Sequence, residues 1–344
     1  MGDRIFQHLT LRELNGNDED YIYNLMGLED DEIRDGNSAR TSTSSDMVPN
    51  LSSSGRSQGI DNIRLFRITN ELLERTISFP CTDELEIHDK TSCTHSSSND
   101  VVRSIIAKLS LGEKNMILLL LRKLAFGDKL SLVSDCHFCK EKMTQNVSII
   151  ELINSVRNSS MFTSTNSQQN DFTFQLSYDS VTTDQQNGRG YALTIRPITV
   201  GDLQEIYDTL AKNGIDGSEI SIKKEIIEKI IDMNVLNSVP MLPVDIYENE
   251  KDLALAIVEK IGELDPLSNI RMSLTCPQCK NRCLEDFYTE YFIFREIASY
   301  HSVMEYDLNW IALHYGWTEG NITDLAISRR KRYVNLINQT VSGV

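Results

Sequence analysis

Two pairs of cysteines carry the clearest chemical signal in the sequence. Cys136 and Cys139 lie in "SDCHFCKEKM", and Cys276 and Cys279 lie in "TCPQCKNRC". A Cys-x-x-Cys turn can place two thiolates about 2.3 Å from one metal ion, and a structural zinc site takes four such ligands in a tetrahedron. The two pairs together therefore predict one structural zinc site.

The predicted ligand pairs are 137 positions apart, whereas about 15–20 residues usually separate the halves of such a site. A long insertion is nevertheless compatible with a shared metal, because each doubling of a loop costs only about 0.6 kcal/mol in closure entropy. Strand-like segments, "KLSLVSD" and "IRMSLT", lead into the two pairs. We therefore expect a split zinc ribbon, in which two hairpins hold the metal between their tips.

Other interpretations of the cysteines fit the sequence less well. Buried free thiols are common in proteins, but two Cys-x-x-Cys turns in a strand context make that interpretation weaker. A redox pair would begin a helix, whereas "CHFCKEKMTQNVSI" returns to a strand. His137 is expected to face solvent, and an exchange of ligand between Cys283 and Cys279 stays open. A second set with suitable residue types has irregular spacing and is interpreted as loop residues: Cys81, His88, Cys93 and His95.

No motif predicts catalysis. The sequence lacks a phosphate-binding glycine loop, the H-E-x-x-H zinc motif and the G-x-S-x-G nucleophile motif. His301 and His314 lie among aromatic residues and are interpreted as core or interface histidines. Four cysteine ligands leave no open position on a metal for water. We therefore predict that the protein is not an enzyme and has no small-molecule substrate.

The composition narrows the class of protein further. The formal net charge is −16, which argues against binding of the whole chain to a phosphate backbone. The longest apolar run, "MILLLL", is far shorter than the about 20 residues of a membrane-spanning helix. The N-terminal stretch lacks the pattern of a secretory signal, so we expect the protein to stay where it is made. Seven cysteines in such a chain do not indicate a disulfide framework.

The hydrophobic periodicity predicts a mixed, mainly helical α+β fold with a C-terminal helical bundle. Helices are expected in "NIRLFRITNELLERTI", "DVVRSIIAKLSLGEKNMILLLLRKLAF", "SEISIKKEIIEKIIDM" and "EKDLALAIVEKIGEL", and a strand, a turn and a helix in "YALTIRPITVGDLQEIYDTL". The only internal repeat that this pattern indicates is the pair of cysteine hairpins.

Four regions follow from this pattern. They are an N-terminal strand with helices (1–130, including a disordered insertion at about 36–60), the split zinc ribbon (131–155 and 270–286), an insertion with a β segment and helices (156–269), and a C-terminal helical region (287–344).

The C-terminal stretch "LHYGWTEGNITDLAISRRKRYVNLI" carries the strongest signal for partner binding. Thr318 and Ser328 are predicted to begin two helices as N-caps. Four cations, from Arg329 to Arg332, crowd the first turn of the last helix, where the helix dipole disfavours positive charge by about 0.3–1 kcal/mol each. An acidic partner is therefore expected. Either Glu319 or Asp324 of the same chain, or an acidic surface of another subunit, would provide it.

The chain resembles the baseplate hub and hub-assembly proteins of contractile-tailed, T-even-like phages and of related contractile injection systems. The resemblance rests on the order of five segments: "LTLRELNGNDEDYI", "SDCHFCKEKM", "LTIRPITVGDL", "ELDPLSNIRMSLTCPQC" and "LHYGWTEGNITDLAISRRKRYVNLI". It spans most of the chain except about residues 30–60 and 155–190. The Ser/Asn-rich insertions and the extra Cys283 depart from the family's pattern, which leaves the length of the second hairpin open.

The resemblance implies a non-enzymatic protein that acts in the host cytoplasm during virion assembly, as a hub component in the tail baseplate or as an assembly factor that leaves. It implies zinc bound by the four paired cysteines and contacts with other baseplate or tail proteins through the tail motif. We add Trp310 to that motif on its residue type, so that the predicted partner-binding residues are Trp310, Tyr315, Trp317, Arg329, Arg330, Arg332 and Tyr333. A packed C-terminal core is the alternative for both tryptophans. The alternative function is a zinc-ribbon nucleic-acid-binding or transcription accessory protein.

Overall fold

A computed structural model describes residues 9–25, 62–78, 96–159, 174–179, 190–213, 231–234 and 261–342, with isolated helical positions at 222, 225, 226, 229, 257 and 259. The insertion predicted at about 36–60 lies outside the described residues. So does the second set of cysteines and histidines, Cys81, His88, Cys93 and His95.

The described chain is mainly helical with a few small antiparallel sheets, as the sequence predicted. Its helices are α1 (Gly16–Leu25), α2 (Asn62–Thr76), α3 (Ser96–Lys108), α4 (Leu111–Phe126), α5 (Ile149–Ser159), α6 (Val200–Asn213), α7 (Thr289–Tyr315), α8 (Glu319–Thr323) and α9 (Ile327–Ser342). Its strands are β1 (Thr10–Leu11), β2 (Ile77–Ser78), β3 (Lys129–Asp135), β4 (Lys142–Ser148), β5 (Phe174–Asp179), β6 (Gly190–Ile195), β7 (Ile231–Asn234), β8 (Ile270–Thr275) and β9 (Arg282–Phe287).

The chain divides into two compact units. The first, which we call the cysteine unit, comprises His8–Cys93, Asn115–Ile153 and Ile270–Val344. It contains both cysteine hairpins, β3–β4 and β8–β9, and the long helix α7, against which α1, α2, α8 and α9 pack. Its buried apolar side chains include Leu14, Ile22, Phe66, Leu72, Phe294 and Ile297. Helix α7 ends where Gly316 adopts a left-handed φ of 66° and its N–H bonds the carbonyl of Ala312.

The second unit, which we call the companion unit, comprises Met1–Gln7, Thr94–Lys114 and Asn154–Asn269. Strand β6 lies between β5 and β7 in an antiparallel sheet. Helix α6 packs against α3 through buried side chains of both helices: Val102, Ile105, Ile106, Leu203, Ile206 and Leu210. Apolar residues at a spacing of three and four on each helix form this contact.

Three local predictions are corrected by the structure. The helix predicted through "EKIIDM" is wrong at its end, because Ile231, Asp232 and Met233 belong to β7 and pair with β6. The stretch from 101 to 126 contains two helices, α3 and α4, which are separated at residues 109–110. Helix α9 begins at Ile327, so Ser328 lies inside its first turn and is not the N-cap. In contrast, Thr318 accepts a hydrogen bond from the N–H of Asn321 and caps α8, as predicted.

In the described part of the chain, no helix has both the length and the apolar character that a membrane crossing requires.

Candidate metal centre

Two antiparallel hairpins position the paired cysteines. In the first hairpin, β3 and β4 pair from Lys129 with Ser148 to Asp135 with Lys142, and Cys136 follows directly. In the second, β8 and β9 pair from Ile270 with Phe287 to Thr275 with Arg282. Alternate residues of β8 are buried, as its sequence pattern predicts for a strand with one covered face. Each hairpin therefore carries a Cys-x-x-Cys turn at its tip.

The two turns have the same backbone geometry. The N–H of Cys136 donates to the carbonyl of Glu141 (2.8 Å), and the N–H of Lys140 donates back to the carbonyl of Cys136 (2.9 Å). In the second turn, the N–H of Cys276 donates to the carbonyl of Asn281 (2.9 Å), and the N–H of Lys280 donates to the carbonyl of Cys276 (3.1 Å). Lys140 and Lys280 occupy the same left-handed conformation, with φ of 62° and 61°. Both turns thus fold the chain back so that two thiols point the same way.

The four sulfur atoms meet in one cluster, with every pair within 4.8 Å. The Sγ atoms of Cys136 and Cys279 are 3.6 Å apart, and those of Cys139 and Cys276 are 3.5 Å apart. Four sulfurs at about 2.3 Å from a central metal ion form a tetrahedron with edges of about 3.8 Å. The cluster therefore has the dimensions and the donor atoms of a tetrahedral metal site, and all four ligands are cysteines.

The thiols of the cluster are unequal in acidity. Hydrogen bonds from the backbone N–H groups of Cys139 and then Phe138 lower the pKa of Cys136 to about 6, against the effect of desolvation. At Cys139 the N–H of Glu141 also acts to lower the pKa, but desolvation and hydrogen bonds with the other thiols outweigh it and raise the pKa to about 12. Crowded thiolates repel one another, and a bound cation is the charge that compensates them.

Glu285 links the two hairpins beside the sulfur cluster. Its buried carboxylate accepts a hydrogen bond from Ser134 Oγ (2.8 Å), and its Oε1 lies 2.9 Å from His137 Nε2. His137 is 56 % exposed and is not part of the cluster, which agrees with the expectation that it faces solvent. The carboxylate of one hairpin thus contacts side chains on both sides of Cys136 in the other hairpin.

Cys283 is a fifth thiol next to the cluster. It is buried on β9, and its Sγ donates to Cys136 Sγ over 3.8 Å. The four sulfurs that lie within 4.8 Å of one another include Cys279 and not Cys283. The exchange of ligand that the sequence left open is therefore not the arrangement in this structure.

The aromatic residues predicted to bind a partner form a surface around the end of α7. Trp317 and Tyr333 make an edge contact with ring centroids 5.0 Å apart, and Tyr315 lies against both. Trp310 donates through Nε1 to Asn338 Oδ1 (3.1 Å). Trp310, Trp317 and Tyr333 also pack against a small buried cluster, Ile311, Ile322, Val334 and Ile337. Both tryptophans therefore take part in a local core and keep part of their surface exposed.

The arginines of α9 divide into buried and exposed members. Arg330 is only 2 % exposed and pairs with Glu19 (2.6 Å) and Asp307 (3.4 Å), so its prediction as a partner-binding residue is corrected. The acidic partners of Arg330 are thus Glu19 and Asp307, and not Glu319 or Asp324, which were one of the two expected alternatives. Arg329 and Arg332 are exposed, and within the described residues neither forms an ion pair.

The ion pair of Glu19 with Arg330 lies between α1 and α9 and is fully enclosed. Glu19 Oε1 and Arg330 Nη1 are buried without a hydrogen-bond partner among the described residues. Desolvation raises the pKa of Glu19 to about 7, although the charge of Arg330 opposes this shift. Burial likewise raises the pKa of Asp307. The cluster therefore holds protons on carboxylates at pH values where exposed carboxylates are ionised.

We expect Glu19 to make the fold less stable as the pH rises from about 4.5 to 7. The folded state holds a proton on Glu19 up to its pKa of about 7, whereas the ordinary value is 4.5, so the stabilisation is complete below this window and is lost through it. Linkage gives a change of about 3 kcal/mol. Denaturant unfolding at pH 5, 6, 7 and 8 gives the free energy of unfolding of the wild type and of Glu19→Gln. The difference between the two isolates the contribution of Glu19, because any effect of pH on metal binding is the same in both proteins. The exposed Glu305→Gln is the control, and identical pH profiles for wild type and Glu19→Gln would contradict this prediction.

Sequence reasoning missed several of these residues. The partners of Arg330 are distant in sequence, and no local pattern connects them. No local pattern distinguishes Glu285 and Ser134 from other strand residues, because they lie 151 positions apart. A repeated pattern does indicate two further ion pairs. In both "LTLR" and "LTIR" the arginine stands six positions before an aspartate, and in the structure Arg12 pairs with Asp18 and Arg196 with Asp202.

Comparison of the chain with protein-family models, with curated proteins and with solved structures finds no match in any of the three.

Proposed function

We propose that this chain is a non-enzymatic structural or assembly protein of a contractile phage tail baseplate, in which a structural zinc ion fixes two hairpins and other surfaces bind baseplate or tail proteins. The observation that carries the proposal is the single cluster of four cysteine sulfurs contributed in pairs by two hairpins. The cluster supports a metal that holds parts of the chain together.

Zinc is the metal that the donor set favours. Tetrahedral sites of four thiolates hold zinc or iron, and zinc is the usual ion where two Cys-x-x-Cys turns face each other. In such a site all positions on the metal are taken by protein, so the ion supplies folding free energy and no reactive water. In this proposal β3–β4 and β8–β9 are the halves of a zinc ribbon, and the residues between them form its insertion.

The baseplate assignment is supported by the resemblance of the five segments and by the C-terminal surface. Tyr315 is 42 % exposed at the end of α7, and Arg329 and Arg332 are exposed in the first turns of α9. Aromatic and arginine side chains are the types most often found at the centres of protein interfaces. We propose Trp310, Tyr315, Trp317, Arg329, Arg332 and Tyr333 as the contact residues for other tail proteins, in the host cytoplasm during assembly or in the finished baseplate.

Metal analysis tests the zinc component. Elemental analysis of protein purified without added metal is expected to give one zinc per chain, with iron near zero. A zinc content below half an equivalent, or an iron content near one equivalent, would reject the zinc site.

The assembly component needs a separate measurement. A tagged chain, expressed during growth of the phage that carries its gene, is expected to co-purify with baseplate and tail proteins. The double variant Arg329→Glu/Arg332→Glu should lose those proteins while keeping zinc. Nucleic-acid affinity that falls steeply with salt, without tail proteins in the eluate, would instead support the alternative of a zinc-ribbon nucleic-acid-binding protein.

A further inference from the structure

Two segments in different halves of the chain have the same sequence pattern. Residues 9–18 read "LTLRELNGND", and residues 193–202 read "LTIRPITVGD". Both place Leu and Thr first, Arg fourth and Asp tenth, with Leu or Ile at the third and sixth positions. Both form a short strand, a loop and the start of a helix: β1 and α1 in one case, β6 and α6 in the other. We call them the first and second docking motifs.

The two docking motifs are stabilised by the same contacts. In the first, the guanidinium of Arg12 pairs with both carboxylate oxygens of Asp18 (2.6 and 2.8 Å). In the second, Arg196 pairs with both oxygens of Asp202 (2.5 and 2.9 Å). In each, the aspartate also accepts the N–H of the residue three positions before it, at 3.1 Å and 2.9 Å. The arginine bonds the carbonyl of the residue that follows it, Glu13 or Pro197.

Each docking motif is received by a helix–turn–helix corner of the same construction. The carbonyl of Leu14 accepts the N–H of Ile327 (2.9 Å), and Asn15 forms a bridge with Ala326. This corner joins α8 to α9. The second motif repeats the arrangement at the corner of α3 and α4, where the carbonyl of Ile198 accepts the N–H of Leu111 (3.2 Å) and Thr199 forms a bridge with Ser110.

A glycine in the first helical turn of each motif permits this close approach. A Cβ atom on Gly16 would lie 2.9 Å from the backbone of Thr323, and one on Gly201 would lie 2.9 Å from the carbonyl oxygen of Ala107. Thr323 and Ala107 each stand three positions before the bridge residue of their corner. Gly16 is the eighth residue of its motif and Gly201 the ninth. The two docking sites therefore agree in hydrogen bonding, and each has a close glycine contact, at positions that differ by one.

The docking motifs are exchanged between the halves of the sequence. The first motif belongs to the N-terminal half and binds the corner at 324–327, in the C-terminal half. The second motif belongs to the C-terminal half and binds the corner at 109–111, in the N-terminal half. The metal centre takes two cysteines from each half as well.

We infer that the two docking sites are two copies of one arrangement, each built from both halves of the chain, and that the partner each half fits is the other half. The order of the parts differs between the halves, because the corner precedes the cysteine hairpin in the N-terminal half and follows it in the C-terminal half. Each half carries one docking motif, one receiving corner and one cysteine hairpin, so neither half can complete a docking site or the metal centre alone. The sequence pattern had indicated only the hairpins as a repeat. The inference is independent of the partners that the intact protein binds.

Cleavage of the folded, full-length protein tests this inference. A protease recognition sequence is inserted between Gln168 and Gln169, and the purified protein is cut there. We expect the two fragments to stay together in size-exclusion chromatography at the elution volume of the uncut protein and to keep the metal. Separation of the fragments in native buffer would overturn the inference.

Equivalence of the two docking motifs is tested in the same cut protein. Arg12→Gln and Arg196→Gln are each expected to weaken the association of the fragments by about tenfold, because each removes one charged pair that closes a docking motif. Arg271→Gln, which removes an exposed ion pair within one hairpin, is the matched control and should leave the association unchanged. If only one motif arginine has an effect, or all three have the same effect, the equivalence of the two docking sites is rejected.

A transplant within the uncut protein keeps the test open if a glutamine variant fails to fold. Leu11→Ile/Glu13→Pro/Leu14→Ile/Asn15→Thr gives the first motif the residues that the second has at its third, fifth, sixth and seventh positions, and leaves Gly16 and Asn17 unchanged. We expect this variant to fold and bind metal, whereas addition of Arg12→Gln should lower its melting temperature further. Failure of the transplant to fold, when Arg12→Gln alone does fold, would show that the motifs are not interchangeable and overturn the inference.

Discussion

Cys276→Ser is expected to abolish stoichiometric metal binding and to destabilise the protein by about 5 kcal/mol or more, since the binding free energy of a structural metal becomes folding free energy. Cys276 is buried at the tip of the second hairpin, and its sulfur lies 3.5 Å from that of Cys139 in the first. Loss of one ligand opens the tetrahedron and releases the hairpins from each other. Elemental analysis and thermal unfolding, followed by circular dichroism, measure the two effects.

Cys283→Ser is the matched control for this variant. Cys283 is also buried and lies 3.8 Å from Cys136, but it is outside the four-sulfur cluster. It should keep a full equivalent of metal and lose little stability. Chelation should lower the melting temperature of wild type and Cys283→Ser, and leave that of Cys276→Ser unchanged. An unchanged melting temperature for Cys276→Ser would show that these sulfurs do not hold a structural metal.

The meeting of the two cysteine turns could be predicted from the sequence because the chemistry of the ligands requires it. Each Cys-x-x-Cys turn is a local pattern that supplies half of a coordination sphere, and only a second such turn completes it. The separation of 137 positions between Cys139 and Cys276 does not change this argument. Helix α2 and strands β3 and β8 were likewise visible in local periodicity.

Other features depended on contacts that local patterns do not encode. Ile231 to Met233 have the spacing of a helix, but pairing with β6 makes them a strand. The break between α3 and α4 does have a local signal, since Ser110 and Glu113 have the spacing of a capping box. In the structure each of the two side chains accepts the backbone N–H of the other residue. The N-terminus of α9 has no such local signal. The carboxylate of Glu13, 315 positions away, accepts hydrogen bonds from the N–H and the hydroxyl of Ser328.

The cations of α9 show how far a charge pattern can be interpreted. The sequence indicated that positive charge at this helix start needs an acidic partner. Within the described residues this is confirmed for Arg330, and not for Arg329 or Arg332. The sequence could not show that Arg330 points inward while Arg329 and Arg332 point outward, since that depends on which face of α9 packs against α1 and α7. The structure therefore divides one run of cations into an internal anchor and a surface available to partners.

Arg330→Met is expected to destabilise the cysteine unit by about 3–5 kcal/mol, because removal of one member of a buried ion pair leaves the opposite charges uncompensated. Arg330 holds Glu19 of α1 and Asp307 of α7 to α9, at 2.6 and 3.4 Å. Guanidinium-induced unfolding at pH 7.5 measures the loss. The cost should shrink at pH 5.5, where Glu19, with its pKa of about 7, is protonated and no longer needs a counter-charge.

Arg329→Met is the matched control one position earlier. Its side chain is exposed, so its removal should change stability by no more than about 0.5 kcal/mol. The double variant Glu19→Gln/Arg330→Met should be more stable than Arg330→Met, because it also removes the buried Glu19 carboxylate that the single variant leaves without its counter-charge. If Arg330→Met and Arg329→Met cost the same, or if Glu19→Gln brings no recovery, the buried pair is not what joins α1 to α9. The N-terminal docking motif would then be held at its corner by the backbone hydrogen bonds and by the bonds of Glu13 with Ser328 and of Asn17 with Asp324.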